Sequence, residues 1–355
     1  MKLKTLAGAM LLAGGVFAAG GASAAAFINS GSLTLGVNDE GHLNVSDTSL
    51  AGYPGVSVQG VSAVGLRYNV GGASYASTEP GCLCEGWGVG LVSSGASGYA
   101  NVSVDGVQNL SLVSFSSTAS TATSVVNVLD GSGAAVLEVT HFYHPTALTA
   151  NLYQVDVSIR NLTGAAIADG DLVYRRVMDW DIEPTSFSEY VTIAGVPAAL
   201  GLANGNNVRR TGDNGFDTAN PLNTSGATIS CPQDTNFTDC GPDDHGAVFD
   251  FEFEGLADGE SRVFTTYYGA AGSEPDALAA LTAVGAGLYS LGQNSNGDAG
   301  AVSDTPVTFI FAFGSDDGVL TPPPPPNPTA VPEPGSLALA ALGLLGLFGA
   351  RRRVK

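Results

Sequence analysis

The chain has 355 residues, with 33 Asp or Glu against 13 Lys or Arg, and a formal net charge of −20 at pH 7. A chain this acidic repels nucleic acid and anionic lipid, which excludes nucleic-acid binding and leaves cations and glycans as the partners its charge allows. Its 48 glycines are about twice the usual share of roughly 7% and point to many tight turns rather than long helices.

The first residues read as a secretory signal peptide over 1–24. Lys2 and Lys4 form a charged n-region, residues 6–19 are apolar and small, and Ala22-Ser23-Ala24 offers a small-x-small cleavage site. Ala24-Ala25-Ala26 is a second register, with cleavage at 26. The secretion machinery is therefore an expected partner, and an exported domain is expected over 25–318.

Within that domain, short runs rich in Val, Leu, Ser, Thr and Tyr alternate with Gly clusters, a pattern of many strands. A first hairpin is predicted from Leu33, Leu35 and Val37, a turn at Asn38-Asp39-Glu40-Gly41, and Leu43 with Val45. Further strands are predicted at 62–70, 98–104, 110–115, 122–129, 134–143 and 150–160. The remainder fall at 172–179, 188–193, 247–253, 261–268 and 306–313. One amphipathic helix follows the motif Ser273-Glu274-Pro275-Asp276, with a capping Ser and an early Pro. Leu278, Leu281, Val284 and Leu288 then repeat at helical spacing, with Gly292 as the stop. The fold class is thus mainly β, a large antiparallel sandwich-like domain with one C-terminal amphipathic helix.

Four cysteines sit in a chain marked for an oxidising compartment, where disulfides persist. Cys231 and Cys240 bracket a short polar loop and are expected to pair. Cys82-Leu83-Cys84 leaves three readings open: a local disulfide, cross-pairing with Cys231 and Cys240, or a metal or redox pair.

Two stretches carry the candidates for chemistry. Gly81-Cys82-Leu83-Cys84-Glu85-Gly86-Trp87-Gly88 places Glu85 and Trp87 in a Gly-rich turn, and Asp179-Trp180-Asp181-Ile182-Glu183-Pro184 places acids around Trp180. If extended, Asp179, Asp181 and Glu183 share one strand face. A Trp beside acids can stack a sugar while the acids bind hydroxyls or a cation, and two carboxylates about 5 to 9 Å apart can also hydrolyse a glycoside. A structural strand is the simpler reading of the same residues. No Gly-x-Ser-x-Gly, phosphate loop, dinucleotide fingerprint or His-Glu-x-x-His is present, so no catalytic residue is assigned and the chain is read as no enzyme.

The exported part has no lysine. Its seven arginines are Arg67, Arg160, Arg175, Arg176, Arg209, Arg210 and Arg262, while all 33 acids lie between Asp39 and Glu333. No organic cofactor is indicated, but so many carboxylates could recruit calcium. Asp213-Asn214-Gly215-Phe216-Asp217 and Asn294-Ser295-Asn296-Gly297-Asp298 look like calcium-loop fragments, although neither matches a twelve-residue EF-hand, and a cation site is expected among Asp213, Asp217, Asp243 and Asp244, with Asp179, Asp181 and Glu183 next.

The C-terminal segment has three parts in order. A Pro-rich linker (319–330, with five prolines at 322–326) precedes Val331-Pro332-Glu333-Pro334, then an apolar run over 337–350, then Arg351, Arg352 and Arg353. Residues 335–350, 16 in number, make a helix of about 24 Å, short for a hydrocarbon core of about 30 Å. The arginines stay cytoplasmic by the positive-inside rule, which leaves the Pro-Glu-Pro on the outer side. This tail, 331–355, resembles the PEP-CTERM sorting signal of bacterial surface proteins. The resemblance implies an exosortase-type membrane protease as partner and an inner-membrane intermediate on the way to the cell surface or extracellular space. Because this tail class accompanies exopolysaccharide production, it also implies a matrix role with a polysaccharide as partner. Runs at 81–88, 177–184, 245–253 and 305–313 resemble a β-rich domain of exported bacterial proteins with no assigned activity. The sequence reading is a structural or polysaccharide-associated surface protein, with a secreted glycan-active hydrolase or lyase as the alternative.

Overall fold

Short strands separated by glycine-rich turns set the pattern of this structure, a computed structural model that describes residues 25–46, 63–196, 200–223, 226, 228–295 and 307–314. The leader, the Pro-rich linker and the sorting tail, with Val331, Pro332, Glu333, Pro334, Arg351, Arg352 and Arg353, lie outside the described residues. The N-terminal part forms β1 (Ala26–Ser30), β2 (Leu33–Val37), β3 (Val45–Ser46), β4 (Ala63–Val64), β5 (Leu66–Val70) and β6 (Ala73–Ala76). The middle forms β7 (Gly86–Leu91), β8 (Ser97–Asn101), β9 (Val107–Gln108), β10 (Leu110–Ser117), β11 (Ala122–Leu129), β12 (Ala135–Pro145), β13 (Leu152–Asn161) and β14 (Leu172–Asp179). β15 (Glu189–Ala194), β16 (Val208–Gly212), β17 (Phe237–Asp243), β18 (Gly246–Glu252) and β19 (Ser261–Ala271) follow. Helix α1 (Glu274–Val284), β20 (Ala286–Asn294) and β21 (Thr308–Gly314) complete the order.

The strands form three antiparallel sheets and a small pair, β3 with β4. The sheets run β1-β2-β5-β6, β10-β11-β12-β13-β19-β21-β20-β15-β17, and β16-β18-β14-β7-β8-β9. In β11, β12 and β13 every second residue is buried, as a strand with one core-facing side requires. The nine- and six-stranded sheets face one another across aromatic rings. Phe249 and Phe251 of β18 meet Phe311 and Phe313 of β21 at centroid distances of 4.7 to 5.7 Å, and Tyr174 of β14 meets Phe264 of β19 at 5.0 Å. The result is a mainly β, sandwich-like architecture with its core between these two sheets.

Three expectations are corrected. β2 pairs with β1 and β5, not with a strand at 43–45; only one bridge joins Val37 to Leu43. The predicted turn instead plugs the sandwich, its carbonyls accepting from buried donors: Trp87 Nε1 to Glu40 O at 2.8 Å, Tyr143 Oη to Gly41 O at 2.8 Å, and Ser124 Oγ to Asp39 O at 2.5 Å.

The run 81–88 is a turn only in its first half; from Gly86 it is strand β7. Trp87, Val89 and Leu91 point to the core, while Gly88 and Gly90 lie against the 219–222 segment. A Cβ at Gly88 would sit 2.9 Å from the Tyr99 Cβ, and one at Gly90 3.0 Å from Leu222 Cγ. Glycine is poor in strands by propensity, but here it permits a close approach.

The helix begins as expected, with Ser273 accepting from the Asp276 amide, but ends at Gly285 in the left-handed region (φ 67°). Leu288 belongs to β20. Ala277, Ala280 and Leu281 cover the outer face of the nine-stranded sheet, against Tyr267, Leu291, Ile310 and Ala312. Among the described residues no helix is long and apolar enough to cross a membrane.

One polar group sits in the middle of the apolar sandwich. Arg176 of β14 is fully buried. Its guanidinium donates to Glu85 Oε1 at 2.8 Å, Tyr143 Oη at 3.0 Å, Tyr174 Oη at 3.3 Å and Tyr268 Oη. Tyr268 in turn donates to Glu85 Oε1 at 2.6 Å, and the Leu43 amide donates to Glu85 Oε2. Glu85 and Arg176 thus tie β7, β12, β14, β19 and the N-terminal turn to one point.

Candidate functional site

Neither tryptophan offers a face to a sugar. Trp87 and Trp180 are both fully buried. Trp87 packs 4.5 Å from His141 and stacks 6.2 Å from Tyr174, and Trp180 donates from Nε1 to Ser290 Oγ at 3.1 Å. A large ring with one N–H is well served by a core that supplies one acceptor, and the same burial takes Glu85 into the Arg176 network. The proposed glycan platform of Glu85, Trp87 and Trp180 is therefore corrected to core structure.

The cysteines pair locally: Cys82 with Cys84 at a Cα separation of 5.3 Å, and Cys231 with Cys240 at 6.1 Å. Bonded sulfurs cannot act as thiolate ligands, so no sulfur metal site exists among the described residues.

Asp213, Asp217, Asp243 and Asp244 do not form one ligand group among the described residues. Asp213 accepts from the amides of Ile229, Ser230 and Cys231 and lies 2.9 Å from His245 Nδ1. Burial would raise its pKa, but His245 and those amides hold it below its ordinary value. Asp217 is 2.7 Å from Arg210 and 3.6 Å from Arg175. Asp243 accepts from the Asp244 amide at 3.0 Å.

The acids that do converge come from two places in the chain. Asp179 ends β14, Asp181 follows two residues later, and Asp244 lies in the turn between β17 and β18. One carboxylate oxygen from each lies within 4.8 Å of the others. Backbone bonds hold the geometry: Trp180 N donates to His245 O at 2.9 Å and Asp181 N to Ser77 O at 2.7 Å. Asp179 and Asp181 are almost wholly buried, and β14 stops at Asp179, so they do not share a strand face with Glu183. The Glu183 carboxylate instead accepts from the Ala76 amide at 2.7 Å.

Sequence reasoning missed Glu189 and Glu79, both buried at the edge of this group. Glu189 Oε1 accepts from the Ile182 amide at 3.0 Å, and Glu79 pairs with Arg67 at 2.6 Å. Glu79 lies two residues before the 81–88 run and Glu189 five after the 179–184 run, but neither sits in a pattern that marks it as part of the group.

Burial is the leading cause of raised carboxyl pKa values throughout the group. It pushes Asp181 up to about 7, opposed by the Asp179 carboxyl and the Cys82 amide and reinforced by Asp244 and Glu79. It pushes Glu189 up to about 9, with Asp181 adding to it, and Glu79 up to about 7 despite Arg67. Asp179 rises well above its ordinary value by burial and then by the charge of Asp181. Unit charges 4 Å apart repel by about 4 kcal/mol at an effective dielectric of about 20, so these carboxylates need a shared proton or a bound cation. The arrangement can hold either.

Residues 330–353 match the family model described as the PEP-CTERM protein-sorting motif. The chain thus carries the signal of an exosortase substrate, a protein exported and processed by that membrane protease. No curated protein and no solved structure matches the chain.

Two outcomes follow. Changing Pro332, Glu333 and Pro334 together to Ala should leave the full-length chain in the membrane fraction; immunoblots showing it processed like wild type would contradict the assignment. For pH, a carboxyl whose folded pKa is raised contributes stability that is complete below its unfolded value and lost as pH rises through the folded value. That loss runs from the ordinary carboxyl value of about 4 to about 7 for Glu79 and Asp181 and on to about 9 for Glu189, which carries it above pH 7. The buried His42, held down at about 3 by burial, and the similarly depressed His141 act in the opposite sense, but only below about 6.5. In metal-free buffer the melting temperature should therefore fall from pH 6.5 to pH 9; a flat or rising profile would contradict the burial of these acids.

Proposed function

We propose that this protein is a non-catalytic structural component of the cell surface or extracellular matrix, delivered by exosortase processing and associated with an acidic exopolysaccharide. The observation that carries this reading is the disposition of charge. Arg67, Arg175, Arg176 and Arg210 are buried and paired with acids, four of the seven arginines of a lysine-free body. The surface left to solvent is correspondingly anionic. Such a surface suits solubility outside the cell and association with an anionic polymer through divalent cations, which bridge carboxylates on both sides.

The same disposition argues against the glycan-active alternative. The acid pair that most resembles a glycosidase dyad, Asp179 with Asp181, is about 1% and 0% exposed and faces a disulfide rather than a groove. The grooves at the surface are lined elsewhere, for example by Asn38, Glu40, His42, Asn44, Asn101 and Val107, and lack a Trp platform.

The test is a polysaccharide array probed with the full chain in detergent, in calcium and in chelator, with release of reducing ends followed in parallel. Binding to acidic polysaccharides that needs calcium, with no new reducing ends, is the expected result. Calcium-independent binding with depolymerisation would support the hydrolase or lyase reading instead.

A further inference from the structure

We propose that Asp179, Asp181 and Asp244 bind one divalent cation, calcium by preference, at the junction of β14 with the β17–β18 turn. The proposal does not depend on the surface role above. It rests first on spacing. Two ligands of one calcium ion, each at about 2.4 Å, can lie at most about 4.8 Å apart, and one oxygen from each of the three residues lies within 4.8 Å of the others.

It rests second on what the oxygens lack. Both Asp181 oxygens, Asp179 Oδ1 and Asp244 Oδ1 are buried and accept no well-formed hydrogen bond, the Cys82 amide being the one backbone donor near enough to hold the Asp181 carboxyl down. Asp179 Oδ2 lies 3.3 Å from Cys82 Sγ, a sulfur that is bonded to Cys84 and has no hydrogen to give. Glu189 Oε2 beside them is likewise without a partner. Buried carboxylates are ordinarily paired or coordinate a metal. No Arg pairs with any of these four acids, and the body has no lysine.

Two glycines pack directly against the carboxylates. A Cβ at Gly215 would stand 2.6 Å from Asp179 Oδ1, and one at Gly81 would stand 3.2 Å from Asp181 Oδ1. Glycine at both positions keeps the carboxylates unobstructed. Asp244 is only partly buried and gives the ion its path and room for water ligands. The donor set is all oxygen. This selects hard cations over zinc or copper, and an irregular, water-completed shell suits calcium better than magnesium, which demands a near-ideal octahedron.

The alternative occupant is a proton shared between Asp179 and Asp181, and the experiment separates the two. The full chain in detergent, stripped with chelator, is melted in calcium chloride, in magnesium chloride, and in sodium chloride at matched ionic strength. Calcium at about 100 times its Kd should raise Tm by about 5 °C or more over the sodium control, with magnesium giving less. Equilibrium dialysis with radioactive calcium should count one tight ion per chain. Asp181→Asn should abolish both effects while melting no lower than wild type in chelator, because the isosteric amide relieves the repulsion. Asp244→Asn, at the partly exposed ligand, should also abolish them, so the test does not hang on one variant folding. Glu254→Gln, an exposed acid elsewhere, should change nothing. Equal melting in calcium and matched sodium, or a calcium shift that survives both Asn variants, would overturn the site and leave the shared proton as the occupant.

Discussion

A guanidinium and a carboxylate held in the dry space between two sheets set the terms for this molecule. Arg176 and Glu85 are both fully buried and in contact at 2.8 Å. Removing two charges from water costs several kcal/mol per ion, so the attraction between them contributes little net stability over an apolar pair. What the pair contributes is direction. Arg176 is satisfied only when β7, β12, β14 and β19 bring Glu85, Tyr143, Tyr174 and Tyr268 to the same point. An apolar sandwich tolerates sliding of one sheet over another far better than this network does. It also captures the N-terminal segment, because the second oxygen of Glu85 accepts from the Leu43 amide.

Placing arginines inside has consequences at the surface and at the acid cluster. With no lysine in the body and four arginines enclosed, the outward-facing charge is almost all negative, which fits a secreted protein among acidic polymers. The same shortage leaves Asp179, Asp181, Asp244 and Glu189 without an arginine or lysine partner, although Trp180 and Asp181 are pinned by backbone bonds to His245 and Ser77. Burial without a counter-charge is tolerable only if something else supplies positive charge, and a shared proton or a divalent ion are the available choices.

The parts of this molecule legible in the sequence are those with local signals. β11 and β14 have the predicted boundaries, β11 by its alternation and β14 by its apolar residues, and the Ser273 cap and the sorting motif are contiguous patterns. Where tertiary contact overrides local preference, the reading fails. β7 looked like a turn because its glycines, needed for the 219–222 segment to approach, mask the alternation of Trp87, Val89 and Leu91. Leu288 continued a helical repeat that Gly285 had already ended. Trp87 and Trp180 beside acids suggested a sugar platform, yet a ring next to a carboxylate in sequence can be core when the strand buries both. At the acid cluster, Asp179 and Asp181 were visible as neighbours, but their convergence with Asp244 and Glu189 is set by the pairings of β14 with β18 and of β15 with β17, which no local pattern announces.

The claim on which the rest depends is that Arg176 and Glu85 act as one unit in the core. A double-mutant cycle of Arg176→Met and Glu85→Gln, followed by denaturant unfolding of the full chain, measures it directly. Each single change should cost about 3–5 kcal/mol, because it leaves the other charge buried alone. The double variant should recover enough to give a coupling of about 2 kcal/mol or more. Additive losses, with coupling within about 0.5 kcal/mol of zero, would contradict the account.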